Sequence, residues 1–146
     1  MSDTKITVLR QGTHGLSTTE YADAIRNRLT DVTVTRASTP AEELQFVEDA
    51  SIITGVGVSE DVLARAGDLQ LFACAFAGYD HLPLETLADM DVAVTNASGI
   101  HATGIAEQVL GYMLTFSRRL QEGWRRTKGC EWRHYQAYEL ANSTVT

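Results

Sequence analysis

Short apolar runs alternate with amphipathic segments along residues 1–100 of the chain. The runs are rich in β-branched residues and predict five strands, which begin near Ile6, Val32, Ser51, Leu71 and Val92. These strands are apolar on both faces, and the segments between them are typical of helices that cover a parallel sheet on both sides. We therefore predict an α/β fold with a flavodoxin-like, doubly wound parallel sheet of five strands in the order 2-1-3-4-5.

The predicted helices carry recognisable N-terminal signals. Ser17-Thr-Thr-Glu20 has the spacing of a capping box, in which the hydroxyl and the carboxylate each accept a backbone N–H. Thr39-Pro-Ala-Glu42 repeats this pattern with proline at the first helical position, where a backbone N–H is not needed. The apolar spacing predicts that the helices turn these residues toward the sheet: Tyr21, Ala22, Ile25, Leu29, Val62, Leu63 and Ala66.

A longer apolar helix is predicted from residue 103 to about Lys128. Its broad stripe comprises Ile105, Val109, Met113, Phe116, Leu120 and Trp124. So wide a stripe is more than a small domain needs on one side, and we expect this inter-domain helix to pack against a second domain or a partner chain. We accordingly divide the chain into a domain over residues 1–100 and a helical segment over residues 101–146.

The charge balance disfavours some classes of partner. The chain has 19 acidic and 12 basic residues and a net charge of −7, whereas a nucleic-acid surface needs clustered cations. The acidic, lysine-poor composition suits a halophilic-like protein that stays soluble in high salt. Cys74 and Cys130 fit neither a disulfide framework nor a CxxC motif. No apolar run is long enough to span a bilayer, so we expect no membrane contact and a cytoplasmic location.

The loops that follow the strands carry the candidate chemistry. Ligands of this fold bind beyond the carboxyl ends of the strands, where the sequence places residues 12–15, 55–57, 76–80 and 96–101. Three of these loops are rich in glycine, which lets backbone N–H groups approach an anion or merely closes a tight turn. Together the loops favour a small anionic ligand. His14 and His101 also fall at this edge, although a single loop histidine is more typical of a solvated group.

Phosphate and metal chemistry are not supported by the motifs. The chain has no GxxxxGKS/T motif. A phosphorylated receiver domain would need acidic residues where this chain has Arg10-Gln11 and Thr54-Gly55. The four histidines show no metal-ligand spacing, so no metal site is expected. Asp80, beside His81, is expected to cap the next short helix.

Three segments follow one another in a distinctive order. They are Leu69–Leu82, which reads LQLFACAFAGYDHL; Val92–Ala97, followed by Ile105-Ala-Glu107 at the start of a helix; and Trp132 with Glu139–Thr146. In this order they resemble the D-isomer-specific 2-hydroxyacid dehydrogenases, over nearly the whole chain. In that family a flavodoxin-like substrate domain and a Rossmann-like cofactor domain enclose the active site.

The resemblance implies where a substrate would bind. The backbone amides of Ala77 and Gly78 would hold the substrate carboxylate, because two N–H donors after a strand form an anion-binding nest. Tyr79 follows them, at a position where the family often has a smaller aliphatic residue. The remaining implied contacts are Gly55 and Val56 in the cleft, Ile100 or His101 beside the substrate side chain, and Ile105 near the nicotinamide.

The family's catalytic Arg, Glu and His and its GxGxxG fingerprint have no counterpart in this chain. By resemblance, the His is a general acid and base oriented by the Glu, the Arg polarises the keto oxygen, and NAD or NADP carries the hydride. We therefore assign no catalytic residue here. The chain is expected to be a truncated N-terminal portion that has no dehydrogenase activity of its own.

Two functions remain open at this point. The first is the substrate-binding part of an NAD(P)-dependent dehydrogenase that interconverts 2-keto and D-2-hydroxy acids, as a homodimer through the region 103–128. The alternative is a stand-alone flavodoxin-like module that binds a small carboxylate or a partner protein, with its long helix covered by self-association.

Overall fold

Five parallel strands form the sheet that organises the first part of the chain. The computed structural model describes residues 4–12 and 15–145, so His14, expected at the ligand edge, lies outside the described residues. Within them the strand order is β2-β1-β3-β4-β5, and every neighbouring pair is parallel. This confirms the predicted doubly wound order. The strands are β1 (Thr4–Val8), β2 (Val32–Arg36), β3 (Ile52–Gly55), β4 (Leu71–Cys74) and β5 (Ala93–Thr95).

Helices connect successive strands, and their caps follow from the sequence. They are α1 (Thr18–Arg26), α2 (Pro40–Phe46), α3 (Glu60–Leu63) and α4 (Leu84–Asp89). At α1 the capping box is complete: Ser17 Oγ accepts the N–H of Glu20 at 3.2 Å, and the Glu20 carboxylate accepts the N–H of Ser17 at 2.9 Å. At α2 the Thr39 hydroxyl accepts the N–H of Glu42 at 3.2 Å, as expected.

The core lies between the central strands and their helices. Phe72 of β4 and Ile53 of β3 are fully buried and belong to one cluster with Leu87. Truncating a buried aromatic side chain to alanine costs about 3–5 kcal/mol, so this cluster is a main source of stability. The predicted inward positions Ala22, Val62, Leu63 and Ala66 are buried. Leu29 is 45% exposed, because α1 ends at Arg26 and Leu29 lies beyond its buried face.

An ion pair between the exposed Arg10 and the buried Glu43 holds the loop after β1 against α2. Glu43 is only 8% exposed, and Arg10 donates to both of its carboxylate oxygens. The backbone N–H of Arg10 lies 2.8 Å from Oε1, and its Nε lies 3.0 Å from Oε2. A buried carboxylate without partners would be costly, so this pairing fixes where the chain leaves the carboxyl end of β1.

The chain divides into two compact units, Met1–Gly99 and Ile100–Thr146. The second unit contains α5 (Ala102–Ser117) and α6 (Leu120–Lys128). The prediction of one continuous helix to Lys128 is therefore wrong. The break lies at Arg118 and Arg119, and Arg119 has left-handed backbone angles of φ 52° and ψ 46°.

A long-range backbone hydrogen bond lies at the break. The carbonyl of Ser117 accepts the N–H of Tyr138 at 2.8 Å, whereas in a continuous helix it would accept the N–H four residues later. The Arg119 guanidinium donates to the carbonyl of Gln136 at 3.4 Å. The segment that follows α6 thus returns to the end of α5 and takes the place of the next helical turn.

Two arginines near the end of α6 form ion pairs. Arg125 and Arg126 both donate to the carboxylate of Glu122, at 3.0 and 2.6 Å. The Arg126 guanidinium also lies over the ring of Tyr135, 5.0 Å from its centroid. Hydrogen bonds from Arg125 and then Arg126 lower the pKa of Glu122 from 4.5 to about 2. The contact with Tyr135 joins α6 to the segment that follows it, whereas the pairs of Glu122 lie within α6.

The apolar stripe is exposed in the second unit. Ile105 is 60%, Phe116 is 72% and Trp124 is 76% exposed. Removal of these apolar side chains from water would be favourable. Among the described residues, no helix combines the length and the apolarity needed to cross a bilayer.

Candidate functional site

Gly55 closes β3 at the edge where ligands of this fold bind, and it is buried there. Its carbonyl accepts the N–H of Ala75 at 2.8 Å, which aligns the ends of β3 and β4. An added Cβ at Gly55 would lie 3.0–3.3 Å from side-chain atoms of Leu9. A side chain here would therefore force Leu9 to shift by a few tenths of an ångström. Val56, the next residue, lines an open cavity.

The loop after β4 is tied to the loop after β5 by two hydrogen bonds. The carbonyl of Phe76 accepts the N–H of Ala97 at 3.1 Å, and the carbonyl of Ala77 accepts from Asn96 Nδ2 at 2.7 Å. Both acceptors belong to consecutive peptide groups of the β4 loop. Their partners, Asn96 and Ala97, directly follow β5, so the two carbonyls point toward the same neighbouring loop.

This arrangement determines the direction of the Ala77 and Gly78 amides. No peptide of the described chain is cis, and in a trans peptide the C=O and the N–H point in opposite directions. The carbonyls of Phe76 and Ala77 face the β5 loop, so the N–H groups of Ala77 and Gly78 face away from it. No hydrogen bond of the described residues has either N–H as its donor. Two adjacent, unused donors on one side of a loop can bind an anion.

His81 ties the same loop to the loop after β3. Its Nε2–H donates to the carbonyl of Val56 at 2.6 Å, and its ring meets Phe76 edge to face, with centroids 5.7 Å apart and an interplanar angle of 83°. The buried Cys74 thiol donates a weaker bond to the same carbonyl, at 3.6 Å. The loops after β3, β4 and β5 are thereby linked into one cluster.

An open cavity of about 270 Å³ lies in this cluster and is lined by Gln11, Val56, Gly57, Phe76 and His81. Sequence reasoning identified only Val56 among them as a site residue. The sequence does not single out His81, because its part in the site depends on a hydrogen bond to Val56, which is distant in the chain. The prediction that Asp80 caps the next helix is wrong, because the N-cap of α4 is Pro83. Before this helix begins, Tyr79 and Leu82 form a turn through a 3.0 Å hydrogen bond.

The other expected site residues occupy defined positions. Tyr79 follows the amide pair and is 53% exposed. Ile100, His101 and Ile105 belong to the second unit. There His101 is the N-cap residue of α5, and Ile100 and Ile105 are 56% and 60% exposed. Among the described residues, no group of three His, Cys, Asp or Glu side chains is arranged to hold a metal ion.

Comparisons with known proteins agree with this fold. The D-3-phosphoglycerate dehydrogenase of Methanocaldococcus jannaschii is 26% identical over 132 residues, which make up 86% of this chain and 25% of that protein. A D-lactate dehydrogenase from Treponema pallidum superposes with a TM-score of 0.70 at 16% identity, over 93% of this chain and 43% of that chain. A D-lactate dehydrogenase from Aquifex aeolicus, complexed with NAD and lactic acid, has a TM-score of 0.67 at 19% identity, over 92% and 41%.

The fold is that of a flavodoxin-like unit, with the loops after β3, β4 and β5 linked at one edge of the sheet. The family model described as D-isomer specific 2-hydroxyacid dehydrogenase, catalytic domain, matches residues 9–143. The chain belongs to this family, as the order of its motifs had indicated. It spans a quarter of the phosphoglycerate dehydrogenase and less than half of the two lactate dehydrogenases.

Proposed function

We propose that this chain is the substrate-binding part of an NAD(P)-dependent oxidoreductase that interconverts 2-keto acids and D-2-hydroxy acids. One observation carries the proposal: the adjacent N–H groups of Ala77 and Gly78 face one side of their loop and have no partner among the described residues. A carboxylate offers two oxygens to such a pair. Hydrogen bonds to a charged acceptor are the stronger kind, so the nest can hold a carboxylate without a buried cation.

The remaining contacts of the substrate follow from the placement of the loops. Val56 lines the cavity beside His81. Gly55, at the end of β3, supports Val56 from within the sheet. Tyr79 follows the nest and contributes an exposed phenol. In our proposal Ile100 or His101 borders the side chain of the substrate. Whichever of these two residues does so decides which 2-keto acids are accepted.

The cofactor is NAD or NADP, which supplies the hydride. Within this chain we assign to it only Ile105, whose exposed aliphatic side chain in the first turn of α5 suits the apolar face of a nicotinamide ring. The catalytic Arg, Glu and His, and the rest of the cofactor site, are assigned to the part of the relatives that this chain does not span. Two free cysteines, Cys74 and Cys130, are compatible with a reducing compartment, and we place the enzyme in the cytoplasm.

A homodimer formed through the region 103–128 completes the proposal. The exposed stripe on α5 and α6 supports it, as does a cavity of about 470 Å³ beside Leu120 and Trp124. An apolar groove next to exposed aromatic side chains is the kind of surface that a partner subunit covers.

The test is an assay of the full-length gene product with NADH and NADPH. Pyruvate, hydroxypyruvate and glyoxylate are offered as substrates, and the hydroxy acid formed from the first two is analysed for its configuration. We expect oxidation of the cofactor and a D-product, with no turnover by residues 1–146 alone. If the full-length protein oxidises no cofactor with any 2-keto acid, yet the chain binds pyruvate, the stand-alone carboxylate-binding module is the correct function.

A further inference from the structure

The loop that carries Ala77 and Gly78 is held on both sides. Toward β5 it is held by Asn96 and Ala97, at 2.7 and 3.1 Å. Toward β3 it is held by His81, whose Nε2–H donates to the Val56 carbonyl at 2.6 Å. His81 stands at the far end of the loop, so this bond joins the end of one strand loop to the beginning of another.

The imidazole ring also closes the loop on itself. It meets Phe76, the second residue after β4, edge to face. An added Cβ at Gly57 would lie 3.4 Å from His81 Cδ2, so the ring also rests against the β3 loop. Residues 77–80 therefore span a gap whose two ends are in contact through the rings of Phe76 and His81.

We propose that His81 is a positioning residue that sets the direction of the Ala77 and Gly78 amides, an inference that rests on the proposed carboxylate site. The carbonyl of Phe76 and the N–H of Ala77 belong to one peptide group. A shift of Phe76 therefore reorients that N–H. Small misplacements of binding groups have large effects on a bound substrate.

The bonding of the ring argues against a direct catalytic role. The Nε2–H of His81 is engaged in a hydrogen bond to the backbone carbonyl of Val56. That carbonyl accepts the hydrogen bond but is too weak a base to take the proton. This nitrogen therefore acts through the loop and does not transfer its proton to a substrate.

Two substitutions separate the hydrogen bond from the ring. His81→Phe keeps an aromatic ring against Phe76 but has no donor for the Val56 carbonyl. His81→Gln keeps an N–H donor at a similar distance from the backbone but has no ring. A hydrogen bond of this kind has a modest net effect, so we expect His81→Phe to weaken carboxylate binding by about 2- to 10-fold. His81→Gln keeps the bond to Val56 and loses only the ring contact with Phe76, so its loss of binding should be smaller than that of His81→Phe.

The measurement is an NMR titration of the ¹⁵N-labelled chain with pyruvate, read at the Ala77 and Gly78 amides. Pyruvamide, which lacks the carboxylate, is the control ligand. His81→Leu is a second donor-free variant in case His81→Phe does not fold. Thermal unfolding is followed in parallel, because a merely structural role would lower the unfolding midpoint and leave the affinity of the folded protein unchanged.

The outcomes distinguish this inference from the function on which it rests. Pyruvate binding by both donor-free variants as tight as in the wild type overturns the role of His81 alone. Equal loss of binding in His81→Phe and His81→Gln also overturns it, because the hydrogen bond would then not be the cause. Absence of any response to pyruvate at Ala77 and Gly78 in the wild type overturns the carboxylate site itself, and the role of His81 with it.

Discussion

Asn96 Nδ2 donates a hydrogen bond of 2.7 Å to the carbonyl of Ala77 and so joins the loop after β5 to the loop after β4. That carbonyl shares a peptide group with the N–H of Gly78. The side chain of Asn96 therefore controls the direction of one of the two amides proposed to bind a carboxylate. Asn96 is exposed, so its contribution to the core is small and its effect on the site is open to measurement.

Asn96→Ala should weaken binding of pyruvate to the chain, because the Ala77–Gly78 peptide loses the donor that orients it. The expected loss is about 2- to 10-fold, the range for one net hydrogen bond. The NMR titration of the Ala77 and Gly78 amides measures it. Ser98→Ala, at an exposed position in the same loop, is the matched control and should bind normally. Unchanged affinity in Asn96→Ala would show that the amides are oriented by other contacts.

Gly78→Val should raise the KM of the full-length enzyme for 2-keto acids by about tenfold or more, because a branched side chain crowds the bound carboxylate. A single Cβ at Gly78 would lie 3.6 Å from the Phe76 ring, an ordinary contact. Gly78→Ala should therefore fold normally and have a smaller effect. At Gly67 an added Cβ meets no atom within 4 Å, so Gly67→Val is a control for the loss of a glycine. A KM that stays at the wild-type value in Gly78→Val would remove Gly78 from the carboxylate site.

The order of the sheet could be predicted because each local signal agrees with it. The apolar runs are too short for helices, and Ser17 and Thr39 mark helix starts between them. Only one detail of these caps differs. The carboxylate of Glu42 accepts the N–H of Ser38 at 2.7 Å, one residue before the cap, whereas Glu20 accepts the N–H of Ser17 itself. The spacing of the side chains predicts a helix cap. It does not predict whether the carboxylate accepts the N–H of the cap residue or that of the residue before it.

The helix break could not be predicted from local sequence. The apolar period continues from Phe116 to Leu120, and neither glycine nor proline interrupts it. α5 ends where the carbonyl of Ser117 accepts a hydrogen bond from the N–H of Tyr138. These two residues are far apart in the chain. Arg119 takes a left-handed conformation that few residues other than glycine adopt readily. An arginine at this position therefore does not predict the end of a helix.

The candidate site could be predicted only in part, because it too depends on contacts between residues that are distant in the chain. Glycine-rich loops after parallel strands point to the edge of the sheet where we propose that the carboxylate binds. The role of His81 depends on its bond to Val56, which is 25 positions away in the chain. The bond from Asn96 to Ala77 spans 19 positions. Such contacts exist only once the strands are in register.

Self-association should follow from the apolar stripe on α5 and α6. Phe116 and Trp124 are 72% and 76% exposed, and their removal from water favours an interface. We expect light scattering of residues 1–146 to give at least twice the monomer mass. The double variant Phe116→Glu, Trp124→Glu should be monomeric. Leu29→Glu, at a position 45% exposed in the first unit, is the control and should associate as the wild type does. A monomeric wild-type chain would contradict the proposed interface.

Acid should weaken the second unit through Glu122. Hydrogen bonds from Arg125 and Arg126 lower the pKa of this carboxyl from 4.5 to about 2. A lowered pKa in the folded state means that the unfolded state binds the proton more readily. The stabilisation is therefore fully present above pH 4.5 and is lost as the pH falls toward about 2. Glu122→Gln lacks this titration, so its stability should fall less than that of the wild type over the same interval.

Tryptophan fluorescence makes this prediction specific to the second unit, because both tryptophans, Trp124 and Trp132, lie within it. Thermal unfolding monitored by fluorescence should give wild-type and Glu122→Gln midpoints that converge as the pH decreases from 4.5 to about 2. Glu85→Gln removes an exposed carboxylate of α4 and should leave the fluorescence transition parallel to that of the wild type. If the wild-type and Glu122→Gln curves stay parallel across the interval, the ion pairs of Glu122 within α6 do not stabilise the second unit.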